Sequence, residues 1–485
     1  MDEIWRWSAT RIADAIRRGD LSAREAVEAS LRRLDAVEPV INAFGDRAED
    51  ALERAAAADD AQARGAELGP LHGVPVAFKD SHEIAGLPTT MGTAGLAAMP
   101  PAAHDCVPVE RYRAAGAIGL GRTRMPPFGL RWTTDSEFFG PTRNPWDPGV
   151  TAGGSSGGAA AAVASGVVPI VQGNDIGGSI RYPSASCGVL GLRPTKGRVP
   201  SWSAPPGEGN RLAIEQFFVE GPIARHVEDL RLALNVIAGP DPRDPAAVPA
   251  ARPESTGRPR IGVVLDVGEQ PFATRSTDEV LAAQRDAAER LTGAGYDVVE
   301  VQAPQLGELA SLWWQLAMPD FAASWFVAGL EQFADAGMKT KWRTMVDVCR
   351  EVLGEVGTAE FANGYARRSL LRQEISILMR DYPVLLLPAS GEAPFPHGDD
   401  ISSPERTQEL MRRQWVNLAV PVLGLPTVGM GTFARPGLAP LGVQLMGRAF
   451  DEDVVLDVAD SLHGATALSV PIEPRAVEAA TAGRA

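Results

Sequence analysis

Three short stretches hold the residues that could do chemistry. "GVPVAFKD" (Gly73–Asp80) is an apolar run that ends on Lys79. "TAGGSSGGAAAAVASG" (Thr151–Gly166) sets Ser155 and Ser156 between two glycine pairs, ahead of an alanine run. "GNDIGGSIRYPS" (Gly173–Ser184) places Gly177 and Gly178 directly before Ser179, with Asp175 and Arg181 on either side. A lysine closing a buried strand is desolvated, which lowers its pKa and lets it act as a base. The plainer alternative is a lysine whose stem is buried and whose ammonium reaches water. Glycines before a serine let successive backbone N–H groups aim at one spot beside a hydroxyl, as in an oxyanion hole next to a nucleophile. Asp175 and Arg181 carry opposite charges and could form an ion pair that stiffens this turn. An ordinary glycine turn with a surface ion pair would look the same in sequence.

The glycine–serine stretch supports several readings. A phosphate-binding loop needs a lysine after its glycines, and alanine follows Gly157 and Gly158. Residues 153–157 spell G-x-S-x-G, the pattern of a nucleophile elbow with Ser155 as its serine. An elbow needs a strand immediately before it. Here "RNPWDPGVTA" precedes, with Pro145 and Pro148, and makes a poor central strand. The plainest reading is a turn in which Ser155 or Ser156 caps the alanine helix. Taken alone the stretch favours that cap, and the second serine turn downstream shifts the balance towards chemistry.

The surrounding pattern supplies elements to hold these residues. Gly73–Asp80, Gly116–Thr123 and Val167–Asp175 read as buried strands. Ser22 and Glu25 have capping-box spacing at the head of an amphipathic helix, and Ala224–Gly239 is helical. Residues 240–259 hold Pro242, Pro245, Pro249 and Pro253 and read as a connector. After it "RIGVVLDV", "TDEVLAAQRDAAERLTGAG" and "YDVVEV" give strand, helix and strand, a βαβ unit with parallel strands. Tyr382–Ser390 and Leu441–Gly447 are later strands, and "DEDVVLDVADSLH" is a closing helix. The alternation predicts an α/β layered fold.

Bulk composition narrows the function. The 485 residues are 45% hydrophobic and 22% charged, ordinary values for a globular chain able to bury a large core. A net charge of -15 argues against nucleic acid or an anionic membrane as partner. The 3 cysteines, Cys106, Cys187 and Cys349, are scattered and form no CxxC pair, so no disulfide framework or thiolate zinc site is expected. The 6 histidines form no HExxH, so no metal site is expected either. "MDEIWRWSAT" lacks the pattern of a signal peptide, and no apolar run reaches membrane-span length. A reducing cytoplasm is the expected compartment, and the excess of Ala, Gly, Arg and Pro suggests a GC-rich bacterial source.

Together the motifs carry a resemblance. "GVPVAFKD", "GLPTTMGT", "FGPTRNPWD", "GGSSGGAAAAVASG", "GNDIGGSIRYPS", "GLRPTKGRV" and "GPIARHVEDL" stand in the order and spacing of the amidase signature family, and "GLPTVGMGTFARPGLAPLGVQLMGRAFDEDVVL" resembles its closing segment. The resemblance spans nearly the whole chain. It implies one α/β domain over residues 1–485, a large mixed β-sheet covered by helices on both faces. Within it lie N-terminal helices (1–66), a signature core (about 67–239) and a variable substrate-pocket region (about 305–400). The connector at 240–259 is then a surface loop. By the same resemblance Lys79 is the base, Ser155 a bridging serine reached through a cis peptide, and Ser179 the acylated nucleophile. The N–H groups of Ile176, Gly177, Gly178 and Ser179 would form the oxyanion hole. Gly129, Leu130 and Trp132 would contact substrate, and Ser156, Asp175 and Arg181 would support the site. No cofactor or metal is implied. A relay of this kind requires no histidine.

The implied activity is hydrolysis of the C–N bond of a small apolar amide, and of carbamates (urethanes), through an acyl-enzyme. A glutamine-hydrolysing amidotransferase A-type subunit is the alternative, and a non-catalytic scaffold on the same fold a third. A homodimer is left open. Some segments depart from the family pattern. Asn174 stands where many relatives have Ser or Thr, and Ala159 where they have Ser; the "GND…GS" form resembles the nylon-oligomer hydrolases. "MPPFGLRWTTDSEFFGPT" differs from the more acidic form, and "SWSAPPGEGNRLAIEQFF" lacks the pattern of the amidotransferase protein. "LWWQLAMPDFAASWF" carries Trp313, Trp314, Phe321, Trp325 and Phe326. Helical aromatics are more often core than pocket, yet this density suggests a hydrophobic site.

Overall fold

Two neighbouring strands set the first coordinates of the site. Strand Pro75–Lys79 runs parallel to strand Ile170–Asp175, with Val76 opposite Ile170 and Phe78 opposite Gln172. Parallel neighbours end at the same edge of a sheet, so the last residues of both strands emerge side by side. Lys79 closes one, and Asn174 and Asp175 close the other. All residues of both strands are buried. The computed structural model describes residues 3–202, 209–249, 257–466 and 468–476.

These strands belong to one eleven-stranded sheet. In chain order its strands are β1 (Phe44–Arg47), β2 (Pro75–Lys79), β3 (Ile118–Thr123), β4 (Ile170–Asp175), β5 (Leu190–Arg193), β6 (Val219–Ala224), β7 (Ile261–Val263), β8 (Val298–Glu300), β9 (Val384–Pro388), β10 (Thr427–Phe433) and β11 (Leu441–Gly447). Across the sheet they run β1-β3-β2-β4-β6-β5-β10-β11-β9-β7-β8. The β2–β3, β2–β4, β7–β8 and β7–β9 pairs are parallel and the rest antiparallel, so the sheet is mixed. The predicted βαβ unit is present as β7, the helix Asp278–Gly293 and β8. The Ser22–Glu25 capping box heads the helix Ala23–Ile41. The connector predicted at 240–259 lies partly outside the described residues, at 250–256, as do residues 203–208 of the divergent segment before β6.

Four strands escape a sequence reading for identifiable reasons. β1 spans only Phe44–Arg47. β5 spans only Leu190–Arg193. β6 carries Gly221 and Pro222, which argue against a central strand. Its pairing with β5 covers only Leu190↔Ala224 and Gly191↔Ile223, so Pro222 lies where that ladder has stopped. β10 contains Gly429 and Gly431, and its glycine at 429 is a packing requirement. A Cβ there would fall 2.6 Å from the backbone of Arg181, in the helix Arg181–Ser186 that follows the second serine turn. That helix therefore lies directly on β10.

The first serine turn leads into the helix Gly157–Ala164, every residue of which is buried. Its alanines pack with Val76, Ile170, Val171 and Leu190 in one apolar core. A second core gathers Trp313, Trp314, Phe321, Leu387 and Trp415, mostly from helices between residues 305 and 423. Among the described residues no helix is long and apolar enough to cross a membrane.

Gly429→Ala would force the helix Arg181–Ser186 off the sheet. Overpacking of this kind costs about 1–3 kcal/mol, and the urea midpoint of unfolding should fall accordingly. An unchanged midpoint would mean that helix can shift without cost.

Candidate active site

Lys79, Ser155 and Ser179 form an unbroken hydrogen-bonded line. Lys79 Nζ donates to Ser155 Oγ at 2.7 Å, and Ser155 Oγ lies 2.9 Å from Ser179 Oγ. The side chains are 0%, 2% and 7% exposed in that order. The line forms because β2 and β4 bring Lys79 to the sheet edge where both serine turns begin. The peptide between Gly154 and Ser155 is cis. The helix-cap reading of Ser155 does not hold. Ser156 occupies the N-cap of Gly157–Ala164 and its side chain makes no capping bond. Ser156 contributes instead through its backbone, whose N–H donates to Ser179 O at 3.2 Å.

The ammonium of Lys79 does not reach water. Its other partner is Asn174 Oδ1 at 2.8 Å, and Asn174 Nδ2 in turn donates to Ser81 Oγ at 2.7 Å. Burial pulls the Lys79 pKa down to about 7, while the negative charges of Glu220 and Asp175 oppose that shift. Asn174 is a position that the sequence flagged only as a departure from the family pattern. Here it is the second group that orients the lysine.

The turn after β4 is pinned at every carbonyl. Asp175 O accepts from Arg193 Nη1 at 2.6 Å, Ile176 O from Trp313 Nε1 at 2.8 Å and Gly177 O from Trp132 Nε1 at 2.9 Å. Gly178 O accepts from the Tyr182 N–H at 2.9 Å, and Ser179 O from that of Ser156. A trans peptide sends its N–H and C=O opposite ways, so fixing the carbonyls fixes the amides. The N–H groups of Ile176, Gly177 and Ser179 have no acceptor among the described residues. Gly178 corrects the expectation of four successive amides, because its N–H donates to Asp175 Oδ1 at 3.0 Å. Its φ of +97° reverses the chain there, and a Cβ would fall 2.5 Å from the Asn417 side chain. That leaves three unpaired amides along this turn among the described residues, with Gly178 as its anchor.

Asp175 is the hub beneath this turn. Arg181 donates to both its carboxylate oxygens at 3.0 Å, and Arg193 approaches Oδ1 at 3.3 Å, all three side chains being fully buried. Burial alone would raise the Asp175 pKa, but the two guanidiniums outweigh it and hold the carboxyl below the usual range. The ion pair read from the sequence as stiffening this turn is formed, and it lies in the core and not at the surface. Arg181 also donates to Gln444 Oε1 on β11 and to Asn417 O, which ties the turn to the far strands.

The predicted substrate residues separate into two kinds. A Cβ on Gly129, where φ is +72°, would lie 3.3 Å from Ser155 Oγ, so this backbone borders the serine line. Leu130 is half-buried against the second core. Trp132 is 8% exposed with its N–H spent on Gly177, and belongs to the frame of the turn more than to an open wall. Trp314 is core, edge-on to Trp132 and Trp313. Phe326 stands between Phe128, Phe321 and Trp342 at ring separations of 5.4–6.4 Å. A histidine also stands beside the lysine. His82 Nδ1 lies 3.0 Å from Lys79 O, and its Nε2 lies 2.7 Å from Glu220 Oε2. Sequence reading overlooked this buried pair, although His82 is three residues from Lys79.

A family model described as Amidase matches residues 25–456. The chain belongs to the amidase signature family. That membership makes it a hydrolase of amide C–N bonds. An indoleacetamide hydrolase of Bradyrhizobium diazoefficiens is 38% identical over 478 residues, covering 95% of this chain and 86% of that protein. The A-type subunit of glutamyl-tRNA(Gln) amidotransferase from Chloroflexus aurantiacus is 34% identical, covering 96% of this chain and 98% of that protein. The crystal structure of a bacterial aryl acylamidase superimposes with a TM-score of 0.82 at 27% identity, covering 99% of each chain.

A role for Lys79 as the base would set a pH dependence. Protonated Lys79 cannot accept a proton, so activity should rise as pH passes through about 7 and level off above it. A kcat/KM profile that is flat from pH 6 to 9 would remove Lys79 as the titrating base.

Proposed function

We propose that this protein hydrolyses small apolar amides, with aryl amides preferred and carbamates accepted, through a Ser-Ser-Lys relay and an acyl-enzyme. The observation that carries the proposal is the continuous line from Lys79 Nζ through Ser155 Oγ to Ser179 Oγ, beside a turn whose carbonyls are all taken. Neutral Lys79 takes the Ser155 proton as Ser155 takes that of Ser179. Ser179 Oγ attacks the substrate carbonyl carbon, and the carbonyl oxygen becomes an oxyanion. The amides of Ile176, Gly177 and Ser179 hold that charge without reorganising. On collapse of the tetrahedral species the C–N bond breaks, and the proton passes back through Ser155 to the departing nitrogen. Water then attacks the acyl carbon by the same route in reverse and frees Ser179. A serine suits the bridge because its hydroxyl both donates and accepts.

The apolar preference rests on Phe128, Leu130, Ile176 and Phe326, which gather on the second core. Nearby cations are already engaged. Arg131 and Lys341 are both held by the buried Asp400. The indoleacetamide hydrolase and the aryl acylamidase, both named for aromatic amides, point the same way. The amidotransferase relative keeps glutamine in play as the competing substrate.

A panel of acetamide, glutamine, an acetanilide and a phenyl carbamate tests the reading. Holding a phenyl ring in the transition state is worth about 2 kcal/mol, so the anilide should exceed acetamide and glutamine in kcat/KM by roughly tenfold to a hundredfold. The carbamate should be slower than the anilide, because its second heteroatom makes the carbonyl less electrophilic. Glutamine as the best of the four would replace this reading with the amidotransferase one. Ser179→Ala should abolish both turnover and labelling by a fluorophosphonate; labelling that persists would move the nucleophile elsewhere.

Lys79→Ala should cost a p-nitroanilide far more than the matched p-nitrophenyl ester. An amine must be protonated to leave, whereas a phenolate of low pKa leaves unaided. Equal losses on both substrates would make the lysine structural.

A further inference from the structure

The five peptides that run from Asp175 to Ile180 are not equally secured. The peptide joining Gly177 to Gly178 is tied at both ends, its carbonyl by Trp132 and its amide by Asp175. The Gly178–Ser179 carbonyl is held by the backbone of Tyr182, at the start of a helix. The Asp175–Ile176 carbonyl is held by Arg193, itself fixed on Asp175 and on Phe217 O. Ser179 O is held by the backbone of Ser156, and the following amide, that of Ile180, donates to Asp175 Oδ2 at 3.1 Å. The Ile176–Gly177 peptide, like Asp175–Ile176 and Gly178–Ser179, has one tether among the described residues; here it is neither backbone nor a side chain fixed by further hydrogen bonds, but the indole N–H of Trp313 at 2.8 Å. Gly177 has no Cβ to restrict rotation of that peptide.

We infer that Trp313 is a positioning residue for the reaction: its indole N–H holds the Ile176 carbonyl and thereby aims the Gly177 amide at the developing oxyanion. The opposite polarity of C=O and N–H in one peptide makes the two orientations inseparable. The indole is itself immobilised. It is 5% exposed, with Trp314 edge-on at 4.9 Å and Phe321 at 6.2 Å. Leu418 would lie 3.4 Å from a Cβ placed on Gly177, so the peptide is packed from below while its amide stays unpaired. Trp313 acts through Gly177 and does not itself bind the acyl group. This inference rests on Ser179 as nucleophile and on the amides beside it as the oxyanion site.

Trp313→Phe keeps an aromatic ring and deletes the N–H. Loss of one oxyanion donor costs on the order of a hundredfold to a thousandfold in kcat. A donor that is loosened and not removed should cost roughly tenfold to a hundredfold. KM for a p-nitroanilide should change by less than about threefold, since ground-state contacts are kept. Affinity for an aryl trifluoromethyl ketone, which becomes a tetrahedral adduct, should fall in parallel with kcat/KM. Affinity for the matched methyl ketone, which stays trigonal, should not. Trp313→His removes more apolar surface but keeps a ring N–H at a corresponding position. It should therefore retain more kcat than Trp313→Phe, although it melts lower. Activity that instead follows melting temperature, a loss confined to KM, or equal loss of both ketones would overturn the role of Trp313. Ser179→Ala labelling separates the two levels. A silent Ser179→Ala with an undiminished Trp313→Phe removes only this inference, whereas a Ser179→Ala that still labels removes the reading beneath it.

Discussion

A lysine buried without a carboxylate partner is the constraint around which the structure is arranged. Lys79 touches Ser155 Oγ and Asn174 Oδ1, both neutral, and no ion pair to it is present among the described residues. Desolvating an unpaired ammonium favours its neutral form. Such a site exists only if the surrounding structure excludes water and keeps anions at a distance. The parallel β2–β4 pair does the first by burying both strand ends. The second depends on how charges near the edge are used.

Each nearby carboxylate is engaged by a partner away from the serines. Asp175 is neutralised by Arg181 and Arg193, Asp400 by Arg131 and Lys341, and Glu220 faces His82. Buried ion pairs add little net stability, because desolvation offsets their attraction. Their value here is geometric. Asp175 accepts from the amides of Gly178 and Ile180, which sets the turn, and Arg181 carries the same network to Gln444 on β11. Arg131 and Asp400 clamp the loop that carries Gly129, Leu130 and Trp132. Electrostatics that would be wasted on stability instead fixes backbone within reach of Ser179.

Close packing completes the arrangement. The alanine helix Gly157–Ala164 and the glycines of β10 let backbone approach backbone where side chains would not fit. The opposite side of the turn meets large aromatics, whose polar tips orient it. Trp132 and Trp313 each present an apolar body to the second core and an N–H to a carbonyl of the turn. Residues that look like pocket lining are therefore partly instruments of backbone orientation.

The sequence by itself singled out Lys79, Ser155 and Ser179, which the fold brings into one hydrogen-bonded line, and the strands that end on Lys79 and Asp175. Apolar runs ending in Lys79 and Asp175 are local patterns, and glycine beside serine is a local signal of unusual backbone. The mixed sheet followed from family resemblance, while β1, β5, β6 and β10 stayed hidden because brevity, proline and glycine mask strands. Tertiary structure alone decided which amides are free. Ser179 and Gly178 are neighbours in sequence and alike in pattern, yet among the described residues one N–H is unpaired and the other is bound to Asp175. That outcome depends on donors as distant as Trp313 and Tyr182, and on the partner each carbonyl finds. Asn174, His82 and Glu220 were legible only as residue types. Their roles arise from the β4–β6 register, which sets Asn174 opposite Glu220, and from the burial that leaves Lys79 neither water nor a counter-ion. A hydrogen bond between residues far apart in the chain has no local signature, because its geometry is set by the packing of whole elements.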